Sequence, residues 1–294
     1  MGQKESDSHH LLKQASFASI GTAVGLLLLK LFTFLITGSV AILSSFFDSA
    51  QDFLTSLINF FAIRHAIQPA DNEHRFGHGN AQALGGILQA FIITLFSLFL
   101  AQESVKKLLE PTPLSKTGLG IIITIIAIIA TFLLVSFQTY VIKKTNSLSI
   151  KADRAHYTGD ILMNVGVIIS ILLTNQLNWF WLDALFGIGV SLYLFYVVYQ
   201  IVKEAITQLM DTEISEEFRR QIIKICLSFP EVKRIYHLRT RQSGETLFVQ
   251  FCVAMDGKLS LKKAHEISHN IEMKIQKTYA HTQIMIHIEP QETK

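Results

Sequence analysis

Apolar residues gather in six long runs, at about 17–36, 40–62, 83–100, 120–141, 153–173 and 181–201, separated by short polar segments. A helix needs ~20 apolar residues to cross a hydrocarbon core, so each run is long enough to predict a membrane-spanning helix. The fifth is the exception that informs. Its predominantly apolar, uncharged part covers only 161–173, so this helix must draw His156 and Asp160 into the bilayer. The second run carries Asp48 and Asp52 near its middle. After Met210 the pattern changes to mixed charge. Period-3.6 stretches at 215–228 and 261–279 and alternating stretches at 235–241, 247–255 and 284–289 predict the order α-β-β-α-β.

The predicted fold class is therefore an α-helical membrane protein, a bundle of six transmembrane helices followed by a small cytosolic α/β domain of ferredoxin-like order. Its divisions are a polar tail over 1–14, a transmembrane domain over 15–210 and the α/β domain over 211–294. Composition agrees: of 294 residues, 50% are hydrophobic and only 17% charged, with a mean hydropathy of +0.37, too apolar for a soluble domain of this size. The net charge of +3 and the absence of a basic stripe argue against nucleic-acid binding. Cys226 and Cys252 lack CxxC spacing, which fits a reducing compartment rather than a disulfide framework. The tail lacks the apolar core of a signal peptide, and His9 and His10 read as solvated rather than as a metal trap.

An even number of spans puts both termini on one side. That side carries Lys4, Lys13, Arg64, Arg75, Lys143, Lys144, Lys151 and Arg154, against Lys106, Lys107 and Lys116 opposite. The positive-inside rule places both termini in the cytoplasm and the chain in the cytoplasmic membrane.

Residues i and i+4 share a helix face, so Asp48 and Asp52 converge, as do His156 and Asp160. Charged groups within a bilayer cost at least ~2.5 kcal/mol and must face a partner, an ion or water. At ~1.5 Å per residue, Asp52 sits about 12 Å and His156 about 10 Å from the inner face of a ~30 Å core. The two depths match, and the same count sets Asp48 against Asp160. One imidazole with three carboxylates suits Zn²⁺ or Fe²⁺, whereas Ca²⁺ and Mg²⁺ prefer oxygen-only shells. Interhelical hydrogen bonding is the alternative use of such groups. An intramembrane metallohydrolase is a further alternative, against which stand the lack of HExxH and of an open coordination position. A metal sensor without flux is another. Lys30 within the first span either pairs with an intramembrane acid or snorkels, and Asp183, beside Trp179 and Trp181, marks an interface belt.

Four segments carry a resemblance: TGSVAILSSFFDSAQD around Asp48, QPADNEHRFGHG after the second span, RAHYTGDILMN around His156, and LRTRQSG in the C-terminal domain. In these the chain resembles the cation diffusion facilitator family, particularly its bacterial ferrous-iron and zinc efflux pumps. The resemblance implies a homodimeric metal/proton antiporter working by alternating access, without a prosthetic group. Its transport ligands would be Asp48, Asp52, His156 and Asp160, and its cargo Zn²⁺ or Fe²⁺, with Cd²⁺ and Co²⁺ on the same shortlist. A branch associated with Mn²⁺ has aspartate where His156 stands. The resemblance also implies a cytoplasmic-face site at Asp71, His74 and His78. Asn80 replaces a frequent lysine of the family, so a hydrogen bond is expected where that lysine would pair with the acid matching Asp211. In the C-terminal domain Tyr236 and Cys252 stand where efflux pumps carry histidines, leaving His237, Cys252, His265, His287 and Glu289 as an altered candidate site.

Overall fold

The computed structural model describes residues 2–37, 40–110, 118–177 and 181–291; Lys116 and Trp179 lie outside them. Six long helices come first: α1 Gly2–Thr37, α2 Val40–Ala66, α3 Ala81–Leu109, α4 Gly118–Thr145, α5 Leu148–Leu177 and α6 Leu182–Leu209. Every helix outruns its apolar segment, because polar ends continue past the hydrocarbon. Among the described residues α1, α3, α4 and α6 are apolar enough over a full span to cross a membrane on length and composition alone. α2 and α5, 27 and 30 residues long, match their neighbours in length but carry the ionisable groups. α2 packs against α1 and α3, and α5 against α3, α4 and α6. Gly85 of α3 permits one such approach, since a Cβ there would lie 2.4 Å from Ala62 Cβ on α2. Small residues at helix contacts are how bundles pack in lipid, where water does not drive association. The large apolar side chains Phe32, Phe99, Leu133 and Leu192 point outwards.

The segment expected as a tail is instead the first turns of α1. Leu12 and Ala15 are fully buried with Ile63, Val141 and Ile150, and that packing holds the polar stretch helical. His9 is partly exposed, with Nε2 3.8 Å from Glu245 of the C-terminal domain, and Ser8 Oγ donates to the same carboxylate at 2.9 Å.

The C-terminal domain runs α7 Glu216–Leu227, β1 Val232–Ser243, β2 Thr246–Asp256, α8 Leu261–Thr278 and β3 Thr282–Gln291, the expected order with longer strands. The sheet order is β1-β2-β3, with β1 antiparallel and β3 parallel to β2. Ser215 and Ser260 cap α7 and α8 by accepting from Phe218 N at 3.1 Å and Lys263 N at 3.3 Å. Phe218, Ile222 and Cys226 of α7 and Ala264, Ile267, Ile271 and Ile275 of α8 recur at helical spacing and bury against Val249, Phe251 and Val253 of β2. Burial pushes the Cys226 thiol up to about 12, so it is an inert core residue.

The loop between α2 and α3 docks on the β1–β2 turn. Phe76 meets Phe248 edge-on at 5.8 Å, and the Arg241 guanidinium covers both rings, at 5.0 and 4.3 Å. A Cβ on Gly79 would lie 2.5 Å from the Ser243 carbonyl oxygen, so backbone meets backbone here. Gly79→Val therefore forces the loop off the turn, at a cost of about 1–3 kcal/mol. Limited proteolysis of the full chain checks this: cleavage between α6 and α7 should be faster in the variant, and an unchanged rate would show that the junction contributes no stability.

Candidate metal centres

Asp52 reaches inward from the middle of α2, and His156 and Asp160 lie one turn apart on α5. His156 Nε2 is 3.0 Å from Asp52 Oδ1 and 3.8 Å from Asp160 Oδ2. One ligand atom from each of the three falls within 4.8 Å of the others, a spacing that one metal ion can span. The His156 side chain is 2% exposed, that of Asp52 15% and that of Asp160 21%. Asp160 Oδ2 is buried with no hydrogen-bond partner, the state of an oxygen built to receive something else. Two carboxylates and an imidazole fit a borderline divalent ion, with one tetrahedral position left over.

The expected fourth ligand, Asp48, is not in this group; one turn along α2, its side chain is exposed. The expected meeting of Asp48 with Asp160 therefore does not reach ligand distance here. Lys30, left open between pairing and snorkelling, is buried, and its Nζ donates to Ser49 Oγ at 2.6 Å, beside Asp48.

Sequence reasoning missed a second buried network, one turn from His156. Asp153 is fully buried, and its Oδ2 accepts from Ser19 Oγ on α1 at 2.6 Å and from Gln138 Nε2 on α4 at 2.7 Å. The side chain of Asn59 on α2 is buried beside it. The signal was available, since Asn59, Gln138 and Asp153 are polar residues within apolar runs. Tyr157 is also buried, and its hydroxyl is 2.7 Å from Ser56 Oγ.

The second centre lies in the α2–α3 loop. His78 Nε2 is 3.3 Å from Asp71 Oδ2, and His74 Nδ1 is 3.5 Å from Asp71 Oδ1, so all three expected residues come together. The backbone N–H of His74, at 2.6 Å, and that of Glu73 donate to Asp71 Oδ1. The His74 amide is the main reason the carboxyl is held below its usual range, and it stays ionised for a cation. The residues expected to replace the family's lysine pair take other partners. Asn80 Oδ1 accepts from Gln208 at 3.4 Å, whereas Asp211 pairs with Arg241 at 3.0 Å. Arg241 is nearer and fully charged, so the acid has no need of Asn80.

The C-terminal candidates are dispersed. Tyr236, Cys252 and His287 form one row across β1, β2 and β3 by register. The Tyr236 hydroxyl donates to Glu289, a bond that pushes its pKa up to about 12, and His287 Nε2 lies 3.5 Å from Glu289 Oε1. His237 sits at a strand irregularity with φ 54°, and His265 stacks on His269 along the exposed face of α8. Among the described residues, no three of these candidates converge to within ligand reach.

Comparison with known proteins follows the same two-part division. The family profile "Cation efflux transmembrane domain" matches residues 16–210, and "Cation efflux protein, cytoplasmic domain" matches residues 214–291. A "Cation-efflux pump FieF" of Salmonella arizonae is 39% identical over 280 residues, covering 95% of this chain and 93% of the relative. That of Salmonella choleraesuis matches with the same identity and coverage. The solved "Metal-bound C-terminal domain of CzcD transporter from Thermotoga maritima" is 27% identical over 26% of this chain and 94% of that one, with a TM-score of 0.25. The family profiles and the full-length relatives support a transporter rather than a hydrolase. The chain belongs to the cation efflux family, as a membrane-embedded efflux pump for divalent metals with a cytoplasmic C-terminal domain.

Proposed function

We propose that the chain exports Zn²⁺ and Fe²⁺, with Cd²⁺ and Co²⁺ as further cargo, from the cytoplasm across the cytoplasmic membrane in exchange for protons. The observation that carries this is the Asp52, His156 and Asp160 cluster, held between two membrane-embedded helices with a buried carboxylate oxygen left without a hydrogen bond. An imidazole with carboxylates is a ligand set for borderline first-row ions rather than for Mg²⁺ or Ca²⁺. Metal ligands must be deprotonated, so cytosolic metal displaces protons from the site, and protons arriving from outside expel the metal. His156, an imidazole, can hold either the metal or a proton, which is what that exchange requires. Asp48 is the fourth ligand, brought onto the ion as α2 shifts against α5 during the transport cycle. Asp71, His74 and His78 capture metal at the cytoplasmic face. Both termini are cytoplasmic, and the working unit is a homodimer, a reading supported by the match of the cytoplasmic domain to a family designated as a dimerisation module.

The test of cargo is a competition flux assay in vesicles containing the purified protein. Zn²⁺ and Fe²⁺ should be carried and should compete with each other, while a tenfold excess of Mg²⁺ or Ca²⁺ leaves their flux unchanged. Transport of Mg²⁺ in preference to Zn²⁺ would overturn the assignment.

A further inference from the structure

His65 closes the last turn of α2, where its carbonyl accepts from Gln68 N at 3.1 Å. Its side chain is exposed, and its ring lies edge-on to that of His78, 4.7 Å between centroids at an interplanar angle of 70°. The rings of His74 and His78 are 4.5 Å apart. Two imidazoles on one tetrahedral ion, with metal–nitrogen bonds of about 2.0–2.1 Å, hold their centroids about 5 Å apart. Both neighbours of His78 thus have their rings at the centroid separation of co-ligands; the ligand atoms of Asp71, His74 and His78 already lie within 4.8 Å of one another, and His65, whose exposed side chain is free to turn, joins them by rotating its ring. The His78 side chain is itself only 4% exposed, and its Nδ1 is buried without a hydrogen-bond partner. A ring pair packed for its own sake, with no ion, would not require Asp71 and His74 to converge on the same imidazole.

We propose that His65 is the fourth protein ligand of the loop site. This rests on the reading of Asp71, His74 and His78 as a metal site, and it changes what kind of site that is. Three ligands leave a tetrahedral ion with an open position and rapid exchange; a fourth closes the shell. Three imidazoles and one carboxylate favour Zn²⁺, Co²⁺ or Ni²⁺ over Mn²⁺. The closed site also clamps the cytoplasmic end of α2, the helix carrying Asp48 and Asp52, to the residues leading into α3. Metal bound at the loop therefore fixes one end of a transport helix. No sequence spacing advertises His65, because its six-residue separation from Asp71 spans a helix end and a turn.

Co²⁺ titration of the full-length protein tests this, in a background of D52N, H156Q and C252S that disables the transport site by removing two of its ligands and removes the half-buried Cys252 thiol. One Co²⁺ should bind at the loop with the intense visible absorption of a four-coordinate ion. H65Q should retain that stoichiometry while binding at least about tenfold more weakly, with the visible band reduced towards that of a higher-coordinate ion. H65A should do the same, and metal-free thermal unfolding should be unchanged in both, since the side chain is exposed. If H65Q and H65A keep the parent band and affinity, the inference is overturned and the three-residue site stands. If H78A binds Co²⁺ as the parent does, or the background binds none, the loop site itself fails and His65 with it.

Discussion

Asp52→Ala stops metal flux, reducing it at least about a hundredfold, while the protein stays folded. Among the described residues Asp52 is what α2 brings to the converged group, so its loss leaves His156 and Asp160, both on α5, to capture the ion before any helix shift can bring Asp48 to it. An ion held by one helix gains nothing from the movement of α2 against α5, and both its affinity and its coupling to that movement are lost. Folding survives because the substitution removes one of two carboxylates crowding the same imidazole, and the side chain is partly accessible. The measurement is Zn²⁺ uptake into vesicles loaded with a fluorescent chelator, with thermal unfolding and gel filtration as controls for the fold. Flux within about twofold of the parent would remove Asp52 from the site. Asp52→Glu keeps the carboxylate but moves it by one methylene, and should retain a fraction of the activity.

Asp153→Ala acts on the other side of the account, lowering stability more than chemistry. Its carboxylate ties α5 to Ser19 of α1 and Gln138 of α4, and all three residues are buried. Deleting the acceptor leaves Ser19 Oγ with the Ala15 carbonyl at 3.1 Å and Gln138 Nε2 with Ser19 Oγ at 3.0 Å, so the second Gln138 N–H is the group left unsatisfied in a site closed to water, at about 1–3 kcal/mol. Thermal unfolding of the full chain should shift clearly downwards. Asp153→Asn should recover part of the loss, because an amide oxygen still accepts from Ser19 and Gln138 can turn its own amide to suit. An unchanged unfolding midpoint in Asp153→Ala would show that the network does not hold the bundle together.

These two residues also mark how far the sequence could be read. Asp52, His156 and Asp160 were legible because an ionisable pair at i, i+4 inside an apolar run has few uses, and because counting residues from a helix end gives depth. Asp48 shares the face of Asp52 but stands a turn away, and only the packing of α2 on α5 decides which of the two meets His156. Asp153 was invisible as a site, since Ser19 is 134 positions away and helical periodicity does not say which helix faces which. The helical start of α1 was hidden for a related reason. Its polar composition suggested a solvated tail, while Leu12 and Ala15 supplied contacts that exist only once α2, α4 and α5 are in place. The α/β domain was read in the correct order because its periods are clean, and its strands extend beyond the alternating stretches through backbone pairing alone. At Tyr236 the family pattern breaks, and the hydroxyl bonded to Glu289 explains what a tyrosine does there better than a metal site does.

Metal should leave as protons enter through the Asp52, His156 and Asp160 site. The most direct test records internal metal and internal pH together in vesicles containing the full-length protein, starting from a Zn²⁺ gradient with no imposed pH gradient. Zn²⁺ entry should alkalinise the vesicle interior at a rate proportional to the metal flux, and both signals should vanish together in His156→Ala. Zn²⁺ entry with no opposing proton movement would rule out antiport, and undiminished entry in His156→Ala would remove His156 from the transport site.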